Sequence, residues 1–168
     1  EWAEDNGIKV PKGKVEFVQD ELPIQDFLVE VTRSYYLEMI QHMRETGVKI
    51  PVAGTNWSRN SAHLSSQLVA DFTDSHAYWY GWNWTKDDKS FLNESMTGSI
   101  DNMLPYLAFN RVEGKPFFVS EWDDPWPNEW RAESPLLLAA VGSLQGWGGF
   151  AIHTYRYTLD ENVEMIGK

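Results

Sequence analysis

From Asp26 onward the apolar positions switch regularly between a helical period and a strand period. Phe27, Val31, Tyr35, Met39, Ile40 and Met43 recur at helical spacing, and Gly47 ends the run. Residues 48–55 then read as a buried strand. Ala62 to Leu68 predicts a short helix, and Phe72 to Trp79 a second strand. Met96 to Phe109 predicts a third helix, with Pro105 inside it as a kink or an early end. The apolar run Lys115 to Trp122 predicts the third strand, Pro135 to Gln145 the fourth helix, and Gly148 to Tyr155 the fourth strand. Residues 1–25 are weakly patterned, carry Pro11, Gly13 and Pro23, and read as loop with room for one short helix.

Four helix–strand units with short apolar strands predict an α/β fold whose parallel sheet is covered by helices. With 168 residues and no break in composition, the chain reads as a single unit: an irregular lead-in over 1–25, repeats over 26–157 and a tail over 158–168. A doubly wound nucleotide-binding fold needs a glycine-rich turn after its first strand. Here Gly54-Thr55-Asn56-Trp57 puts an indole where backbone must approach phosphate. In a (β/α)8 barrel, function gathers instead in the loops after the strands. Seven of the nine tryptophans fall there, Trp57, Trp79, Trp82, Trp84, Trp122, Trp126 and Trp130, which predicts an aromatic mouth at one end of the sheet.

Charge narrows the partners. The net charge is −11, and the 14 Lys and Arg residues form no basic run, so neither nucleic acid nor an anionic membrane is an expected partner. Cysteine is absent, which removes disulfides, thiolate metal sites and cysteine nucleophiles together. His42, His63, His76 and His153 show no ligand spacing such as His-x-x-x-His, and no metal or other cofactor is expected. The low-charge stretch from Pro135 to Ile152 is broken by Gln145 and several glycines and reads as a buried helix running into a strand, not a bilayer span. Glu1-Trp2-Ala3-Glu4-Asp5 is acidic and lacks the apolar core of a targeting segment.

The candidate chemistry centres on Glu121. It ends a strand pattern and is followed at once by the aromatic-rich loop from Asp123 to Trp130. A carboxylate delivered into tryptophan-lined surroundings suits sugar hydrolysis, in which a charge meets an oxocarbenium-like centre held against flat rings. A solvated strand end or a salt bridge uses the same residue type. His76, Tyr78 and Tyr80 share one strand face, where they can donate to a neighbouring carboxylate or be satisfied by backbone in a core. Asn56 and Trp57 end the first strand with an amide for sugar hydroxyls and an indole for a pyranose face, and ordinary turn chemistry uses them equally. His153 and Tyr155 on the fourth strand have the same standing.

Three stretches, Gly47 to Trp57, Asp74 to Trp79 and Gly114 to Trp122, together resemble the second half of a cellulase-like clan A glycoside hydrolase. Pro127 to Glu133 and Leu144 to Trp147 extend the resemblance, which covers Asp26 to Tyr157 in the order of barrel strands five to eight. It implies half of a (β/α)8 TIM barrel. It also implies that Glu121 is the nucleophile of a retaining hydrolysis of β-glycosidic bonds in poly- or oligosaccharides. His76 and Tyr78 match the His-x-Tyr pattern bordering the sugar subsite, with Tyr78 hydrogen-bonding Glu121. Trp57, Trp79 and Trp122 are the expected stacking walls. The family's acid/base glutamate follows an asparagine at the end of strand four. Asn93-Glu94 and Asn128-Glu129 lie in the wrong loops and no strand precedes Glu1, so that residue is expected upstream of this chain. The expected partners are therefore a carbohydrate substrate and either a second copy or the missing N-terminal half of the barrel. Secretion is expected of a polysaccharide hydrolase. A carbohydrate-binding or catalytically inactive barrel module is the alternative.

Overall fold

A helical stripe, a left-handed glycine and three short apolar strands set the architecture. The computed structural model describes residues 1–9, 12–13, 22–58, 60–79, 93–124, 126 and 128–154. A short helix α1, Trp2–Asp5, precedes the long helix α2, Leu22–Glu45. Gly47 ends α2 at φ 95°, which lets Val48 N–H reach back to the Met43 carbonyl at 3.0 Å. Helix α2 packs on helix α3, Ser61–Ser66, and on the 3-10 turn Gln67–Val69 that continues it. Asn60 caps α3 by accepting the His63 N–H at 2.9 Å. Of the apolar stripe read from the sequence, Phe27, Val31, Tyr35 and Met39 are exposed, and the half-buried side carries Val29, Thr32, Tyr36, Ile40 and Met43.

Strands β1, Thr73–Tyr78, β2, Phe117–Asp123, and β3, Gly149–Ile152, form a parallel sheet in that order. Helix α4, Leu104–Phe109, packs against β1, and helix α5, Glu133–Gln145, against β2. Between sheet and helices lies the core of Ala77, Trp79, Met96, Leu107, Phe117, Val119, Trp122 and Leu138. The other sheet face, with Asp74, His76, Tyr78, Phe118, Glu121 and Asp123, is only partly buried. No helix among the described residues is long and apolar enough to cross a membrane.

Among the described residues the fold is thus mixed α/β with a small open parallel sheet of three strands, where the sequence predicts four. Residues 48–55 make no strand, because the outer edge of β1 finds other partners. The Gln67 side chain imitates a backbone there: its Oε1 accepts the Asp74 N–H at 3.1 Å, and its Nε2 faces the Asp74 carbonyl at 3.4 Å. The neighbouring segment is tied to Asp71, just before β1, whose N–H donates to Val52 O and whose Oδ2 accepts the Val52 N–H, and it meets β1 itself through His76 N–H to Asn56 O. The expected helix from Met96 shrinks to α4. Pro105 lies in its first turn, where a missing N–H costs nothing, so it starts the helix and does not kink it. The expected buried helix, α5, hides only one side, through Ser134, Leu138 and Gly142, and leaves Leu136 and Leu144 in solvent.

Candidate functional site

Alternation along β2 explains how a glutamate comes to face the open side. Phe117 and Val119 point into the core, and strict alternation would send Glu121 after them. One extra residue prevents this. The register steps from Ser75 opposite Val119 to His76 opposite Glu121, and on the other side from Val119 opposite Phe150 to Trp122 opposite Ile152. Ser120 is therefore a bulge against both neighbours. It turns Glu121 to the open face and Trp122 into the core. The bulge leaves the Ser120 N–H outside the ladder, and Asp74 Oδ1 accepts it at 3.1 Å. Burial pushes the Asp74 carboxyl up, and its bonds to Ser120 oppose this.

Around Glu121 three rings converge. Tyr78 donates its hydroxyl to Glu121 Oε2, His76 Nδ1 lies 3.3 Å from the same oxygen, and His153 Nδ1 lies 3.0 Å from Tyr78 Oη. Trp57 meets the His76 ring edge-on at 5.1 Å, and the Asn56 carbonyl accepts the His76 N–H at 3.2 Å. The Tyr78 hydroxyl, as the largest influence, holds the Glu121 carboxyl below the usual range; His153 and His76 add to this and partial burial opposes it. Glu121 is consequently an anion at neutral pH with a third of its side chain open to solvent. Two residues on, Asp123 is pushed the other way by burial.

The structure brings together Glu121, His76, Tyr78, Trp57 and His153 of the residues singled out in the sequence, and Asn56 touches them through its backbone carbonyl. Trp79 and Trp122 do not join it. Both are buried in the core, with indole N–H groups donating to the Glu94 and Ser134 carbonyls, so neither offers a face to a ligand. Tyr80 and Tyr155, with Trp82 and Trp84 of the expected mouth, lie outside the described residues. Trp57, Trp126 and Trp130 are each about half exposed. Sequence reasoning missed Asp74. Its place two residues before His76 on the same strand face was the available signal, and its partner is a backbone N–H that only the bulge creates.

Among the described residues no group of three or more His, Asp or Glu side chains converges as for a metal ion. A groove of about 510 Å³ between α2 and α3, lined by Val29, Asn60 and Ser65 among others, holds Asp26 as its one carboxylate among the described residues. The chain matches no protein-family model, no curated protein and no solved structure.

Proposed function

We propose that this chain carries the nucleophile half of a retaining β-glycoside hydrolase, with Glu121 as the attacking group. The observation that carries the reading is an ionised, hydrogen-bonded and partly open glutamate at the C-terminal end of a parallel strand, between two histidines and a tyrosine. In this reading β1, β2 and β3 correspond to barrel strands six, seven and eight, and the segment beside β1 to strand five. The partly buried sheet face is then the barrel interior, which a parallel sheet otherwise hides. Tyr78 and His76 both address Oε2, which leaves Oε1 to attack the anomeric carbon. As that bond forms, the glycosidic C–O bond breaks and its electron pair leaves on the aglycone oxygen; water later hydrolyses the ester. A second carboxyl, carried by the other half of the barrel, protonates a poor leaving group.

Dinitrophenolate leaves without a proton, so the first step can be tested on Glu121 by itself. Incubation with 2,4-dinitrophenyl 2-deoxy-2-fluoro-β-glycosides of the gluco, galacto and manno series is expected to add one fluoroglycosyl group. The modified peptide contains Glu121, and Glu121→Gln remains unmodified by intact-mass analysis. No adduct across the series, or an adduct that survives Glu121→Gln, overturns the proposal. The half-exposed Trp57, Trp126 and Trp130 favour a second reading, sugar binding without cleavage. Tryptophan fluorescence that responds to β-linked oligosaccharides without any covalent trapping selects it.

A further inference from the structure

Tyr78 has one hydroxyl proton and, among the described residues, two neighbours able to take it. Glu121 Oε2 receives it, while His153 Nδ1 lies 3.0 Å from the same phenol oxygen. A phenol that has given its proton to a carboxylate meets its second neighbour as an acceptor, so His153 presents an N–H at Nδ1. The backbone holds the ring there: His153 N–H donates to the Trp122 carbonyl at 3.0 Å, and the imidazole stands edge-on to the phenol at 6.0 Å.

We infer that His153 is a positioning residue whose Nδ1–H fixes the Tyr78 hydroxyl toward Glu121, making a one-way hydrogen-bond chain from imidazole through phenol to carboxylate. Its catalytic meaning rests on the glycosidase reading; its geometry does not. Donation into the phenol oxygen polarises the O–H and strengthens its bond to the carboxylate. Without that N–H the hydroxyl is free to turn away, and Glu121 loses the contact that does most to keep it ionised. Among the described residues, the titratable groups facing His153 are Tyr78 from β1 and Glu121 and Asp123 from β2, with His76 on the far side of Glu121.

The test reads the carboxyl directly, by NMR titration of protein labelled with carbon-13 at the glutamate carboxyls. The proteins compared are wild type, His153→Leu, His153→Asn, Tyr78→Phe and Tyr78→Phe/His153→Leu. Asparagine puts an amide N–H close to where Nδ1–H stood. His153→Leu is expected to raise the Glu121 midpoint by about half to one pH unit, and His153→Asn to restore most of that shift. With Tyr78→Phe already present, His153→Leu adds little. An equal shift with and without the tyrosine hydroxyl shows His153 acting only through its own charge, and overturns the inference. No shift at all overturns it too. If His153→Leu fails to fold, His153→Gln replaces it with the same expected sign. Failure of fluoroglycoside trapping refutes the enzymatic reading while leaving this titration interpretable, so the two outcomes stay separate.

Discussion

Glu121 and Asp124 stand three residues apart, and their surroundings push them in opposite directions. Glu121 gains hydrogen-bond donors and drops. Asp124 is fully buried, faces the carboxylates of Asp123 and Glu133, and rises to about 6. Its ordinary value is 3.8, so the folded chain binds this proton more tightly than the unfolded chain does. Below the ordinary value both states are protonated and the residue costs nothing. As pH climbs from there through about 6, stability is lost, and above that window the full cost applies, with a ceiling of about 3 kcal/mol. Asp124→Asn never ionises. It is expected to raise the urea midpoint at about pH 7.5 and to give no such gain near pH 4, because its benefit is the removal of an ionisation cost. A gain confined to acid pH contradicts this account.

Strand β2 shows both what periodicity makes legible and where it stops. Short apolar runs reveal β1, β2 and β3, and the run from Phe27 to Met43 reveals α2, since those patterns are local. The missing first strand was not legible. Its place on the β1 edge is taken by the Gln67 amide, and no spacing rule announces a side chain that imitates a backbone. Nor was the fate of Trp122, because the bulge at Ser120 reverses which face each later residue takes. The site was legible in part: His76 and Tyr78 follow from simple alternation on β1, while Asp74 acquires its role only after the bulge exists. This makes the bulge testable as an element. Asp74→Ala leaves the Ser120 N–H without its acceptor and is expected to cost about 1–3 kcal/mol in urea unfolding, with Asp74→Asn retaining most of the stability. Deleting Ser120 restores strict alternation with Glu121 still opposite His76 and Trp122 still inward. In that background Asp74→Ala is expected to cost much less, and a strictly additive cost refutes the assignment.

At the scale of the whole molecule, the apolar surface exceeds what the core uses. The sequence shows α2 as apolar along one stripe, whereas tertiary contact takes a neighbouring side, to which only Ile40 and Met43 of that stripe belong. The remaining stripe, Phe27, Val31, Tyr35 and Met39, stays exposed along a helix of 24 residues, with Leu28 exposed beside it. The open sheet face adds less, because Phe118 and the ring cluster about Glu121 are already partly buried. Contiguous exposed apolar surface of this kind is removed from water by association. A second copy is the partner always present, so the chain is expected to self-associate. The net charge of −11 works against this at long range, and added salt screens that repulsion within about 10 Å at 0.1 M. Association should therefore strengthen as ionic strength rises, opposite to the behaviour of a charge-driven pair. Sedimentation velocity is expected to show a concentration-dependent species above the monomer mass that grows with salt. Val31→Lys combined with Tyr35→Lys, both exposed and outside the half-buried side of α2, should return the chain to monomer without lowering its unfolding midpoint. A wild-type chain that stays monomeric across salt and concentration would mean that this stripe is tolerated in water and drives no association.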